Sequence, residues 1–243
     1  PAGVVVDDVT VASGEATSID IAGSVATITA PATTSIDVSG DVETVSGGAI
    51  ATVSGDGYVE DRGDGNSTGN PISIGNTGYT TLAEAVTAAN AGDTIRLKGN
   101  ITVTATAGII SKDDITLDLN GKTITYAPSY AKSDYIELLN VTGTLTITGN
   151  GTITGPTGSE GAKYDSKVMI SVEGDSATLT MIDGSMTAGG EGSDGMYGIY
   201  ALTGGNIILG ASDGTGPSIT TWLAPVGMNN TTATAKMHIS GGT

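Results

Sequence analysis

ITLDLNGKTITY, residues 115–126, sets two short stretches of alternating apolar and polar residues on either side of an Asn-Gly pair. The same grammar returns as LTITGNGTITGP at 145–156, LTMIDGSMTAGG at 179–190, NIILGASDGTGPSITT at 206–221 and MHISGGT at 237–243. Aligning the apolar residue that opens each phrase gives Leu117, Leu145, Leu179, Ile207 and Met237, at steps of 28, 34, 28 and 30 residues. A period of that size marks a unit that cannot bury its apolar face alone and must stack on its neighbours. Leu145 and Ile147 alternate with Thr146 and Thr148, which is strand spacing and sends one set inward. Asn120-Gly121, Asn150-Gly151 and Asp183-Gly184 tolerate the left-handed backbone of a sharp bend. A hairpin could use the same dipeptides. Recurrence of the whole unit, each time followed by a polar stretch of about fifteen residues, favours the corner of a solenoid.

A different pattern precedes the repeats, in GYTTLAEAVTAANAGDTIRLKGNITV at 78–103. Leu82, Ala85, Val86 and Ala89 fall at helical spacing, Thr81 and Glu84 form a capping box, and Asn90 to Gly92 stops the helix. The next strand is Thr94 to Leu97. Such a helix ahead of stacked strands would cover an open end of the stack. The run Y-x-T-L-x-x-A-V-x-x-A-x-x-G-D-T-I-x-L, followed by I-T-L-D-L-N-G-K-T-I, resembles the capping helix and first coils of pectin-lyase-like right-handed parallel β-helix domains. It is most similar to those of large repetitive surface proteins of Gram-positive, often gut-dwelling bacteria. The resemblance covers residues 76–243. It implies an all-β fold, a right-handed parallel β-helix with an N-terminal capping helix, and a place outside the cell on a bacterial surface. Because that fold serves lyases, glycosidases, tailspikes and adhesins alike, it implies little about activity.

Residues 1–56 carry a shorter repeat: TSIDIAGSVATIT from Thr17 matches TSIDVSGDVETVS from Thr34, an offset of 17. Each half reads as two strands bent at Gly23 or Gly40, a small β-rich stalk segment. Residues 57–75, rich in Gly, Asp and Asn, read as a linker, and 76–243 as the β-helix. Pro1 opens no signal region, and HISGGT stops inside a repeat, so the chain reads as an excised part of a longer protein.

The chain has 243 residues, 38 Gly, no Cys, no Phe, one Trp and one His, with 26 acidic and 9 basic side chains and a formal charge of −17. Few large aromatics and many small β-branched residues suit thin stacked coils. The charge leaves no basic stripe for phosphates, so nucleic acid is not an expected partner. Anionic membranes and anionic polysaccharides are repelled for the same reason. No apolar run approaches the roughly twenty residues of a membrane span, so no membrane insertion is expected. Neutral glycans, host proteins and cations remain.

A β-eliminating lyase needs a base and clustered cationic groups, whereas Arg62, Arg96 and the lysines are scattered along this chain. A glycosidase needs two spaced carboxylates. Asp183 and Asp213 fall near equivalent corners, where they serve more simply as turn formers, and His238 reads as a surface or coil-filling residue. No catalytic residues are assigned. Asp56, Asp61, Asp64 and Asn66 gather the hard oxygens that calcium prefers within one Gly-rich loop, although the spacing departs from an EF-hand. Arg62-Gly63-Asp64 matches an integrin-recognition triplet, a coincidence easily made in such a loop. Thr-x-Thr at Thr123, Thr146 and Thr152 is a pattern of flat ice-binding faces, set aside because its register fails at Leu179 and Ile207. Tyr126, Tyr130, Tyr135, Tyr164, Tyr197, Tyr200 and Trp222 concentrate in or beside the inter-repeat stretches. Insertions at one point of each repeat emerge side by side on one flank, and aromatic rings with a polar tip suit sugars and protein partners. The expected function is therefore a noncatalytic adhesin-like module binding a neutral glycan or host protein, with a structural spacer as its competitor and a polysaccharide-degrading enzyme behind both.

Overall fold

In a computed structural model, the described residues are 5–12, 18–49, 51–128, 135–157, 166–189, 196–211, 213–221, 223–229 and 235–241. The chain divides into two compact units, Pro1–Thr80 and Thr81–Thr243. Among the described residues both are nearly all β, with parallel strands in stacked sheets and one short helix.

In the first unit, the strands Val5–Thr10, Ser24–Thr29, Asp41–Ser46 and Tyr58–Asp61 pair in parallel as one sheet, and Ser18–Ile21, Ser35–Val38 and Ala51–Val53 as another. The offset of 17 is the pairing register: Ser18 meets Ser35, and Val25 meets Val42. Alternation turns Ile28, Ile36, Val38, Val45 and Val59 into a buried core. The segment expected to be a linker is instead folded into this unit. Tyr58 and Ile72 are buried, Tyr58–Asp61 continues the first sheet, and Thr68–Gly69 pairs back onto it antiparallel. Its high glycine content hid three short strands.

In the second unit, each circuit of the chain contributes one strand to each of three sheets. The first sheet stacks Thr94–Leu97, Ile115–Asp118, Thr144–Thr148, Thr178–Met181, Asn206–Leu209 and Lys236–Ile239. The second stacks Ile101–Val103, Thr123–Tyr126, Thr152–Thr157, Ser185–Gly189 and Ser218–Thr221. The third stacks Gly108–Ile110, Tyr135–Val141, Ser166–Glu173, Tyr197–Leu202 and Ala224–Met228. All of these pairings are parallel, an arrangement compatible with a β-solenoid. Asn120-Gly121 therefore turns a corner between two sheets, with φ of 49° and 71°, and Asn120 Nδ2 donates to the Leu97 carbonyl of the preceding circuit at 2.9 Å.

Two expectations change. The sequence alignment opened on Leu117, but Leu145 lies beside Ile115, so the first step is two residues longer. A slip of two keeps the same face inward, which is why alternation alone did not detect it. The polar stretch between phrases also contains a third strand. In YIELLNV and SKVMISVE most described side chains are buried on both faces, so they lack the period-2 signature by which the other strands were read.

The helix Leu82–Ala88 begins as expected: Thr81 Oγ1 accepts from Glu84 N at 3.2 Å, and Glu84 Oε2 accepts from Thr81 N at 3.0 Å. It buries Leu82, Ala85 and Val86.

Like residues stack on like inside the unit. Ile95, Leu117, Ile147, Met181 and Leu209 form one inward column, and Ile101, Ile124, Ile153, Met186 and Ile219 another. Ile147→Ala in the middle of the first column should cost about 2–5 kcal/mol in equilibrium unfolding, since the circuits on both sides hold the cavity open. The outward Thr146→Ala next to it should stay within about 0.5 kcal/mol of the parent.

Candidate functional site

The third sheet carries two columns of residues, three positions apart in each strand. One runs Glu137, Val168, Tyr197, Ala224, and the other Asn140, Ser171, Tyr200, Gly227. At the tyrosine circuit the two rings stand 4.6 Å apart, centroid to centroid, at 64°. That edge-to-face arrangement is favoured by the ring quadrupoles. Both are half-buried. A Cβ on Gly227 would come 2.5 Å from Tyr200 Cδ2 and 3.0 Å from Tyr197 Cδ1, so only glycine lets the rings lie down along the next strand.

Two circuits earlier the same columns are polar. Ser171 Oγ donates to Glu137 Oε1, and Asn140 Nδ2 donates to Glu173 Oε2 at 3.4 Å. Glu137 is 8% exposed and Ser171 is fully buried. Sequence reasoning missed this row. Its signal was present in Asn140 and Ser171, polar residues at matching positions and each flanked on both sides by apolar ones.

The predicted aromatic set separates. Tyr126 does not belong to a binding surface: it is 1% exposed, and its hydroxyl donates to the Glu137 carbonyl at 2.9 Å and accepts from Glu137 N at 3.1 Å. Its spacing of two from the inward Ile124 dictates this, and it ties the second sheet to the third. Tyr197 and Tyr200 come together as described. The backbone of Tyr135 opens a third-sheet strand opposite Ser166, while its side chain lies outside the described residues. Tyr130, Tyr164 and Trp222 also lie outside them.

The proposed calcium ligands are engaged in hydrogen bonds with backbone groups. Asp61 Oδ1 accepts from Gly63 N and Gly65 N at 2.8 and 2.9 Å, and Asp56 Oδ1 accepts from Gly78 N at 2.8 Å. Asp64 Oδ1 accepts from Asn66 N at 3.0 Å, and Asn66 Nδ2 donates to the Asp64 carbonyl at 3.3 Å. Among the described residues no group of three or more acidic, His or Cys side chains is gathered where it could hold a metal ion. Arg62 and Asp64 of the tripeptide pair with each other at 2.6 Å. Arg96 is likewise engaged, donating to Asn120 Oδ1 at 2.7 Å and lying 3.7 Å from Asp118. Asp213 accepts from Thr215 N at 2.9 Å within its own turn, whereas Asp183 accepts from Asn150 N at 2.8 Å and so links its corner to that of the preceding circuit. His238 is exposed on the last strand of the first sheet. No family model, curated protein or solved structure matches the chain.

The Arg62 guanidinium, then the Asn66 amide, hold the Asp64 carboxyl below its ordinary value. A depressed folded pKa contributes stability above the unfolded value and loses it as pH falls through the folded one. In an NMR titration Arg62→Ala should move the Asp64 midpoint up toward the ordinary carboxylate range; an unmoved midpoint would contradict the pairing.

Proposed function

We propose that this chain is a noncatalytic, adhesin-like module of a bacterial cell surface, binding a neutral glycan or a host protein on the flank that carries the third sheet. We read its second unit as a right-handed parallel β-helix of the pectin-lyase-like type, with Leu82–Ala88 as the cap on its first coil. The observation that carries the binding reading is the Tyr197–Tyr200 pair, half-exposed and laid flat by Gly227. An aromatic edge of this kind offers apolar area to the carbon face of a sugar ring, and its hydroxyls meet the ring's oxygens. In the sequence, residues 129–134, 158–165 and 190–195 each fall between a second-sheet strand and a third-sheet strand, and the first two of these stretches contain Tyr130 and Tyr164. Excursions repeated at one point of a stack make a composite surface. A formal charge of −17 turns that surface away from acidic glycans and toward neutral ones.

The spacer reading rests on a separate observation. The inward columns run through every circuit of the second unit, and a stack held together in this way serves as a stiff support.

Binding of the purified chain to neutral glycans, mucins and matrix proteins, with calcium and with chelator, separates the two. Under the binding reading one ligand class saturates, and Tyr200→Ala or Gly227→Val weakens it by about tenfold, a loss of roughly 1.4 kcal/mol. Silence from folded protein, or a hit indifferent to both substitutions, removes this flank as the binding surface and leaves the spacer.

A further inference from the structure

We propose that the outward face of the second sheet is an independent binding surface whose ligand is crystalline water, that is, ice. Read along the sequence, the pattern fails because it joins Thr123 and Thr152 to Thr146, a residue of a different sheet. In the true register the continuation of Thr123 and Thr152 is Ser185 and Ser218, not Leu179 and Ile207. Beside that column runs a second, Thr102, Thr125, Thr154, Thr187 and Thr220, unbroken over five strands. Ser185 Oγ donates to Thr152 Oγ1 at 3.1 Å along the first column.

The face is a two-dimensional lattice. Parallel pairing sets the columns' repeat at about 4.8 Å, and residues two apart in a strand stand about 6.6 Å apart. Threonine is stiff at χ1, so each hydroxyl and methyl holds its place. One hydroxyl binding one water contributes little net energy, because the same bond is available in the liquid. Only a ligand that repeats in two dimensions with a matching period engages all the positions at once. A single sugar or peptide meets a few of them. The rung repeat lies close to the lattice repeat of equivalent water oxygens along the a axis of hexagonal ice, which a prism face exposes.

Charge selects the occupant further. The chain carries 26 acidic and 9 basic side chains, yet none of the five strands of this sheet contains one. A charged group would impose its own hydration shell on the adjoining water; this face imposes none. The first sheet, in contrast, places Arg96 and Asp118 in one outward column and breaks its threonine column at Ile208 and His238.

The test is partition of the intact chain into a slowly growing ice front. Wild type should be enriched in the ice, Thr154→Lys and Thr187→Lys should lose that enrichment to the level of an ordinary soluble protein, and Thr146→Lys on the first sheet should keep it. Melting temperatures identify any variant that fails to fold, and Thr125→Lys on the adjacent strand then takes its place with the same expected loss. Exclusion of the wild-type chain from ice, uptake unaffected by the lysine variants, or attachment through this face to crystalline cellulose or chitin without ice uptake would overturn the proposal.

Discussion

Parallel, in-register pairing from one circuit to the next is the constraint on which the second unit depends. Each strand satisfies its backbone groups on the strands before and after it, because no water reaches the interior side of a sheet to satisfy them otherwise. The same pairing lays every side chain over its counterpart one circuit away. An interior position must then suit an apolar column, as Leu117, Ile147 and Met181 do. A corner must let one backbone pass close over another. At Gly143 a Cβ would collide with the Lys112 carbonyl below it, and at Gly205 with that of Val172, so these corners accept only glycine.

Stacking also makes the outside of the molecule a set of faces, each read down its columns. The first sheet mixes threonine with charge, the second is an uncharged hydroxyl lattice, and the third passes from a buried polar row to paired tyrosines. A substitution in one circuit changes one element of a face and leaves the others in place. Recognition chemistry can therefore vary on one side of the stack while the interior columns remain constant. The third sheet has the additional device of Tyr126, whose hydroxyl crosses from the second sheet to both backbone groups of Glu137. That link fixes the end of the strand on which the polar row begins.

Strands with one face buried and one face wet were legible in the sequence, because alternation encodes them directly; so were the capping box and the left-handed corners at Asn120 and Asn150. The third-sheet strands were not, since covering both faces erases the alternation. Tyr126 was misread for a related reason: its aromatic ring and its place beside a polar stretch outweighed the two-residue spacing that puts it inside. The threonine lattice was written in the sequence but could not be assembled there. Which strand lies over which is decided by circuits of unequal length, and a single misassigned sheet breaks the pattern. The Tyr197–Tyr200 pair was named from composition, while its dependence on Gly227, thirty and twenty-seven residues away respectively, required the register.

Register is thus the claim that carries the rest, and the absence of cysteine from the chain makes it directly measurable. Thr125 lies opposite Thr154 in adjacent strands, while Thr152 lies two residues out of step with it. Paired positions in neighbouring strands fall within the Cα separation that a disulfide spans, and a two-residue offset does not. Under mild oxidation, the Thr125→Cys/Thr154→Cys double variant should close an intramolecular disulfide while Thr125→Cys/Thr152→Cys remains reduced. The opposite preference, or equal closure of both, would contradict the stacking from which the interior columns, the tyrosine shelf and the hydroxyl lattice all follow.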